Sequence, residues 1–331
     1  MNRRTVLASG VAIASGALLE SPTWGASRRK PDSLIDGVQI GVISYSFRSM
    51  PDQSAPAILE YCRDIGLSAI ELMGDPAEWY AGIPVRFDIA QLYRLEDPNL
   101  PQTPALQRER AELQARYTEY KRAAAAWRPT ASMKPFERLG QLYRRAGVPI
   151  YAFKPGTFER DSTDAEVDYG MRAARALGAN QVTVELPTDS AQIARLAAAA
   201  TRHGLRMAYH EHLQATPTLW DAALAESPAN AINLDLGHYV AADDYDALAF
   251  VREHHARIAS MHLKDRQNKT DGQRNLPWGE GDTPIVAVLR LMRAQSYRFP
   301  AAIELEYDIP AGSNAVKEVA KCLQFCRRAL S

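Results

Sequence analysis

Cysteine is scarce in this sequence: 331 residues contain only Cys62, Cys322 and Cys326. A disulfide framework needs several spaced pairs of cysteines, so this sequence does not contain one. Cys322 and Cys326 stand four residues apart in a helical pattern, which predicts that both pack as small hydrophobic side chains. The fold is therefore not expected to depend on covalent cross-links.

The sequence also lacks net charge, because 39 basic residues balance 39 acidic residues and no block of Lys or Arg stands out. A nucleic-acid partner held by phosphate contacts is therefore not expected. No segment after the N-terminus reaches the roughly 18 consecutive apolar residues typical of a transmembrane helix. We expect no membrane span in the mature protein, and its length fits either two small domains or one large barrel.

The N-terminus has the layout of an export signal. Arg3 and Arg4 precede a mildly apolar run at residues 8–19, and the small-residue stretch 24–27 follows it. The apolar run is too short for an ordinary transmembrane helix. This order predicts a twin-arginine signal peptide over residues 1–27, and hence a periplasmic or secreted protein. A disordered N-terminus with a chance pair of arginines is the alternative.

From residue 38 onward, short apolar runs alternate with amphipathic stretches such as 55–65, 164–177, 190–203 and 283–295. The runs predict eight strands: Val38–Tyr45, Ala69–Met73, Pro149–Phe153, Gln181–Leu186, Arg206–His210, Ile232–Leu236, Ile258–Leu263 and Ala302–Glu306. Eight repeats of strand then helix favour an α/β fold, a closed (β/α)8 TIM barrel over residues 36–331. An open doubly wound sheet is the alternative, but no glycine-rich nucleotide loop follows the first strand.

One segment interrupts this alternation. Residues 75–135 separate the second strand from its helix and include a predicted helix from about Gln107 to Trp127. An insertion that follows a barrel strand is expected on the catalytic face. The segment is therefore predicted to form a lid or a wall of the substrate site, with an oligomer contact as an equal alternative.

Acidic and imidazole side chains gather where the last five predicted strands end, at 185, 210–212, 235–238, 262–265 and 304–306. A barrel directs these strand ends towards one cavity, where buried charges are costly unless something pairs them. Alternate residues of a strand face the same way, so His262 should share a face with Lys264, and Glu304 with Glu306. By the same rule Glu211 should face the helices, unless the strand has already ended.

The pattern predicts that one divalent metal ion is held by four residues: His210, Asp235, His262 and Glu304. Glu185 is the next candidate ligand. Two imidazoles with carboxylates suit Mn²⁺, Co²⁺, Zn²⁺ or Mg²⁺, and the residues alone do not choose among them. Each residue taken singly is more often a helix cap or a salt-bridge member. Five consecutive strands that end in this way are hard to obtain by chance.

These motifs also carry a family resemblance. The chain resembles the sugar phosphate isomerase/epimerase superfamily of xylose isomerase-like TIM barrels over about residues 38–330, apart from the insertion. The matching motifs lie at residues 209–212, 234–238, 262–265, 277–282 and 303–307. They indicate the fold and the metal but not the substrate, because the superfamily spans isomerases, epimerases, dehydratases, endonucleases and lyases.

The resemblance implies roles for individual residues. In the ketose epimerases of the superfamily, a Glu, an Asp, a His and a Glu on strands five to eight hold the metal, and the two Glu residues also move protons. Asp235, His262 and Glu304 match the last three positions, whereas His210 stands where the first Glu would be. This departure argues against symmetric epimerisation between two carboxylates and favours chemistry with a single base.

The remaining site residues are assigned by this interpretation. Glu185, Glu306 or His212 is predicted to accept the substrate proton, and Lys264 to stabilise the negative charge that develops. Four further residues are predicted to contact the substrate: Lys154, His238, Asp265 and Trp278.

The expected function is metal-dependent enolisation next to the ketone of a sugar, which leads to isomerisation or epimerisation. The first alternative is β-elimination from 3-keto-glycosides in the periplasm, in a pathway with a sugar oxidoreductase. A non-catalytic sugar-binding barrel and an apurinic endonuclease are further alternatives, and the neutral composition disfavours the endonuclease. The sequence is compatible with a monomer and with a homo-oligomer.

Overall fold

The computed structural model describes residues 30–88, 90–95 and 100–331. The predicted export signal, residues 1–27, lies outside the described residues. Among the helices that are described, none is both long and apolar enough to cross a membrane.

Eight parallel strands close into a barrel. In chain order they are β1 Val38–Ile43, β2 Ile70–Met73, β3 Ile150–Lys154, β4 Gln181–Glu185, β5 Arg206–His210, β6 Asn230–Asp235, β7 Ile258–Leu263 and β8 Ala301–Ile303. Each strand pairs with the next, and β8 pairs with β1 to close the ring. The predicted (β/α)8 barrel is confirmed.

Helices surround the barrel. Those described are α1 Ala55–Ile65, α2 Gly74–Ala81, α3 Ala90–Leu95, α4 Pro104–Trp127, α5 Lys134–Ala146, α6 Asp164–Leu177, α7 Ser190–His203, α8 Asp221–Glu226, α9 Leu236–Asp243, α10 Ala247–His254, α11 Ile285–Gln295 and α12 Ala315–Leu330. Apolar side chains of the strands and of the inner helix faces form one continuous core. Cys322 and Cys326 are buried in this core on α12, as their spacing indicated.

Helix α6 shows how local sequence sets the boundaries. The hydroxyl of Thr163 accepts from the backbone N–H of Glu166, and the Glu166 carboxylate accepts from the backbone N–H of Thr163. This reciprocal cap satisfies two N–H groups that the first helical turn leaves without partners. Gly178 ends the helix at φ 85°, a conformation that glycine adopts without steric cost.

Several predicted strands were too long at their C-terminal ends. Strand β1 ends at Ile43 and continues as the 3₁₀ turn Ser44–Phe47, while β8 ends at Ile303. The Ser46 hydroxyl donates to the carbonyl of Ile303 and accepts from the N–H of Leu305. This side chain therefore replaces the backbone hydrogen bonds between strands at this point. Glu304 and Glu306 therefore lie just beyond β8. Similarly, Leu236 begins α9 instead of ending β6.

The segment between β2 and α5 contains helices α2, α3 and α4. Helix α4 begins at Pro104, three residues before the predicted start, because Thr103 caps its first turn. Side chains of the segment form a small hydrophobic cluster of their own, which includes Phe87, Leu113 and Tyr120.

A buried ion pair fastens this segment to the barrel layer. Arg128 donates from Nε and Nη2 to the two carboxylate oxygens of Glu78, at 2.9 and 3.2 Å. Tyr169 of α6 donates to the same carboxylate at 3.0 Å, and Arg128 Nη1 donates to the carbonyl of Gly156 at 3.1 Å. Four elements therefore meet around the guanidinium group of Arg128: helix α2, the end of α4, helix α6 and the loop after β3.

We predict that Arg128→Met destabilises the protein by about 3–5 kcal/mol, because it leaves the buried Glu78 carboxylate without its cation. Urea unfolding followed by circular dichroism measures the change. Arg122→Met is the matched control, since Arg122 pairs with Glu119 on the exposed face of α4 and its loss should leave the unfolding midpoint unchanged. Equal stability of the Arg128 variant and the parent protein would contradict the assigned role.

Candidate metal centre

Four side chains from four neighbouring strands converge at the C-terminal end of the barrel. They are His210 at the end of β5, Asp235 at the end of β6, His262 on β7 and Glu304 after β8. All four are buried, and one ligand atom from each lies within 4.8 Å of the others. The structure thus brings together the four residues predicted as metal ligands.

A chain of hydrogen bonds orients His210. Its Nδ1 lies 2.7 Å from Oδ1 of Asn233, and Nδ2 of Asn233 donates to the Ser260 hydroxyl at 2.7 Å. Gln181 donates to the same hydroxyl at 2.7 Å, which helps to hold it in place. With Nδ1–H bound to Asn233, the other ring nitrogen of His210 is free of its proton and lies 4.0 Å from Oδ2 of Asp235.

His262 lies between two carboxylates. Its Nδ1 is 3.0 Å from Oε2 of Glu304, and its Nε2 is 2.9 Å from Oε2 of Glu71. Burial by itself lowers the pKa of His262, but Glu304 and Glu71 outweigh it and raise the pKa to about 10. Nδ1 of His262 faces the other three candidate ligands. Its Nε2, on the opposite side of the ring, contacts Glu71.

The sequence pattern did not indicate Glu71, Asn233 or Ser260. Glu71 belongs to β2, outside the five strands where acidic and imidazole residues cluster, although a charged residue inside the apolar run 69–73 was a usable signal. Asn233 and Ser260 are uncharged, and polar residues of this kind occur in many strands. Their role depends on β6 lying between β5 and β7, where Asn233 is opposite both His210 and Ser260.

Asp235 has one satisfied and one unsatisfied oxygen. Its Oδ1 accepts from the N–H of His238 at 2.8 Å and so caps α9. Its buried Oδ2 has no hydrogen-bond partner among the described residues, although Lys264 Nζ lies 2.9 Å away. Burial raises the pKa of Asp235 to about 7, against the opposing effect of Lys264.

Lys264 supplies the nearest positive charge. Its buried Nζ lies 2.9 Å from Asp235, 2.8 Å from Glu304 and 2.8 Å from Glu306. Burial alone lowers the pKa of a lysine, but these carboxylates raise the pKa of Lys264 well above its usual value. The shared faces predicted for His262 with Lys264 and for Glu304 with Glu306 agree with these contacts.

Three further predicted residues form the edge of the site. Lys154 donates to Glu185 at 2.9 Å, and Nδ1 of His212 lies 3.5 Å from the same carboxylate. Burial raises the pKa of Glu185, but Lys154 and the neighbouring histidines outweigh it and lower the pKa to about 2. Burial lowers the pKa of His212, whose ring packs 4.7 Å from the ring of His238.

The donor set fits a divalent cation. It consists of two imidazoles and two carboxylates, with an unsatisfied carboxylate oxygen on Asp235. Asn233 and Glu71 hold the two rings through their other nitrogens, as neighbouring groups commonly do for metal-bound histidines. The residues do not select one metal among Mn²⁺, Co²⁺, Zn²⁺ and Mg²⁺.

Comparison with known proteins identifies the family. The profile of the xylose isomerase-like TIM barrel family matches residues 108–328. The chain belongs to this family. None of the curated proteins compared with it matches.

Three solved structures illustrate the similarity of this xylose isomerase-like barrel to others. A sugar phosphate isomerase/epimerase from Parabacteroides distasonis matches with a TM-score of 0.59 and 14% identity, covering 89% of this chain and 95% of that one. A xylose isomerase domain protein from Planctomyces limnophilus has a TM-score of 0.58 and 14% identity, covering 88% and 96%. The probable 3-DHS dehydratase involved in petrobactin synthesis from Bacillus anthracis has a TM-score of 0.59 and 15% identity, covering 87% and 98%. At these identities the likeness shows the fold alone.

Two residues predicted to contact the substrate have other contacts in this barrel. The carboxylate of Asp265 accepts from the backbone N–H groups of Gly279, Gly281 and Thr283, so it organises the loop before α11. The ring of Trp278 packs against Phe325 of α12 at 5.7 Å. Asp265 lies beyond β7, in a separate two-residue strand, Asp265–Arg266, that pairs with Asn275–Leu276.

His238 and Glu211 also have defined positions. Nδ1 of His238 lies 2.8 Å from Nη1 of Arg266, which makes Arg266 a further neighbour of the site that the pattern did not indicate. Glu211 follows the end of β5, is buried, and accepts from the N–H of Asp235 at 2.8 Å. Burial raises its pKa well above the usual range.

We predict that Asn233→Ala weakens binding of Mn²⁺ or Zn²⁺ about 10- to 100-fold, because His210 loses the group that orients its ring. Asn233→Asp, which keeps an acceptor for Nδ1–H, should restore most of the affinity. Competition with a fluorescent chelator measures both variants, and circular dichroism checks their folding. If Asn233→Ala binds metal as tightly as the parent protein, Asn233 does not orient the ligand.

Proposed function

We propose that the protein is a divalent-metal-dependent enzyme of the sugar isomerase/epimerase type that acts by enolisation next to a sugar ketone. The observation that carries this proposal is the convergence of His210, Asp235, His262 and Glu304, with their ligand atoms within 4.8 Å of one another. Membership of a family that includes sugar isomerases supports it.

The four residues would hold the metal through two imidazole nitrogens and two carboxylates. When bound there, a divalent ion supplies Lewis-acid polarisation of a carbonyl oxygen. Lys264 places its ammonium group against the carboxylates of Asp235, Glu304 and Glu306, so it would offset their negative charge around a bound substrate.

We assign the removal of the proton to His212. Its ring is about half exposed, faces Glu185 at 3.5 Å and packs edge-on against His210 at 5.1 Å between ring centroids. The imidazole therefore stands beside the metal ligands, next to a carboxylate that stabilises the protonated ring. Glu306 is the competing acceptor, but Lys264 donates to its carboxylate at 2.8 Å.

Elimination from a keto-glycoside is the second candidate reaction. Since His210 occupies the end of β5, the cluster of four has no carboxylate on that strand to return a proton to the opposite face of the substrate. Removal of one proton followed by departure of a group β to the ketone needs only one base. We propose export through the twin-arginine route as the context for either reaction, on the basis of Arg3 and Arg4.

We predict that the Mn²⁺-loaded protein incorporates deuterium from D₂O at a carbon next to the ketone of a substrate sugar, as measured by NMR. Asp235→Asn should abolish both metal binding and this exchange, because it removes a charged ligand. Asp243→Asn, on the exposed end of α9, is the control and should change neither. Metal-dependent exchange that survives in the Asp235 variant would place the reaction elsewhere.

A second prediction separates His212 from Glu306 as the base. His212→Asn should lower the exchange rate by about 10²- to 10⁴-fold, whereas Glu306→Gln should lower it less, because Glu306 is assigned no proton transfer. Metal content, measured by plasma emission, should equal that of the parent protein in both variants. The reverse order of rates, at full metal content, would assign the base to Glu306.

A further inference from the structure

A cleft of about 190 Å³ opens between the insertion and the mouth of the barrel. Its inner side is formed by the ends of β2, β3 and β4, and its outer side by α4, which contributes Tyr117, Tyr120 and Lys121. One water needs about 10–15 Å³ on this scale, so the cleft holds roughly 13 to 19 waters. A sugar ring with its hydroxyl groups has about the same number of heavy atoms.

The cleft is continuous with the candidate metal centre. Lys154 and Glu185 line its inner end, and Glu185 also belongs to the group of ligand-type atoms formed with His210 and His212. A molecule that reacts beside His210 and extends along β4 therefore enters this cleft. A single sugar ring placed at the metal centre leaves it unfilled.

Aromatic side chains line the outer side. Tyr117 and Tyr120 lie on one face of α4 with ring centroids 6.2 Å apart, and Phe87 packs against both. Phe158 adds a further aromatic side chain to the lining. Such faces suit the C–H groups on the apolar face of a sugar ring, and pockets for small molecules commonly combine them with a few polar groups.

The polar group that points to a ligand is the hydroxyl of Thr183. This side chain is fully buried at the floor of the cleft, and its Oγ1 has no hydrogen-bond partner in the part of the chain that the structure describes. Buried hydroxyls without partners are uncommon in folded proteins. Because Oγ1 is buried beneath the floor of the cleft, a ligand hydroxyl would satisfy it after a small shift of the side chains that cover it.

The cations of the cleft are already paired, which argues for an uncharged ligand. Lys154 binds Glu185 at 2.9 Å, Arg128 binds Glu78 at 2.9 Å, and Lys121 lies 3.3 Å from Asp161. A phosphate group would have to compete with a carboxylate for each of them. A neutral ring with hydroxyl groups would not.

We propose that this cleft is a subsite for a second, unphosphorylated sugar ring, so that the substrate is a disaccharide or glycoside whose reacting ring lies at the metal centre. The proposal rests on the proposed function for the position of the reacting ring. It assigns α4, within the insertion, to substrate recognition through Tyr117.

The test uses three ketoses with the Mn²⁺-loaded full chain: fructose, lactulose (a galactosyl-fructose) and fructose 6-phosphate. Isothermal titration calorimetry measures their affinities. We expect lactulose to bind at least about tenfold more tightly than fructose, and fructose 6-phosphate to bind no more tightly than fructose. Equal affinity for lactulose and fructose, preference for the phosphate, or no binding of any of the three would overturn the subsite.

Two variants test whether the second sugar ring binds in this cleft. Tyr117→Ala should bring the ratio of the lactulose and fructose affinities close to one. Thr183→Val, which keeps the shape of the side chain and removes only an unpaired hydroxyl, should lower the ratio without loss of stability. Tyr297→Ala is the matched control, because Tyr297 is a partly buried tyrosine stacked on His255 at the opposite end of the barrel. If the ratio is unchanged in both cleft variants, the second ring binds elsewhere and the proposal is wrong.

Deuterium uptake from D₂O, followed in the same samples, separates this proposal from the proposed function. A preference for lactulose without exchange would leave the subsite standing and remove enolisation. Deuterium exchange with equal affinities for lactulose and fructose would support enolisation and rule out the subsite.

Discussion

The structure of the site depends on how its buried negative charge is compensated. Glu71, Asp235 and Glu304 are all buried at one end of the barrel, and isolated carboxylates in such surroundings are strongly unfavourable. Lys264 compensates part of this charge through contacts below 3 Å with Asp235 and Glu304, and His262 lies between Glu304 and Glu71. Oδ2 of Asp235 is paired only with the Lys264 ammonium and accepts no hydrogen bond among the described residues, so it is the oxygen that a cation would bind.

The position of Lys264 in turn needs a residue without a side chain. A Cβ atom on Gly237 would lie 2.3 Å from Cγ of Lys264 and 2.8 Å from its carbonyl oxygen. Glycine costs α9 some helix stability, since alanine is favoured there by about 1 kcal/mol. The close approach of α9 to the end of β7 explains why a glycine occupies this helical position.

The insertion forms the outer side of the cleft beside the candidate site. Its buried pair of Arg128 and Glu78 fixes the end of α4 against α2 and α6, on rigid elements and not on a loose loop. This anchoring gives the aromatic side of the cleft a defined position relative to Glu185.

The sequence alone determined the eight-stranded barrel, because apolar runs and amphipathic stretches are local patterns that tertiary contacts did not overrule. It also indicated His210, Asp235, His262 and Glu304, since strand ends of a parallel barrel share one cavity. Only the tertiary structure decided which groups hold these side chains. Glu71 meets His262 across 191 positions of the chain, and Asn233 reaches Ser260 only through strand pairing. The carboxylate of Asp265 accepts from the backbone N–H groups of a loop, and no pattern in the sequence indicated these partners. Periodicity describes a residue's direction within an element, whereas the identity of its partner depends on how distant elements pack.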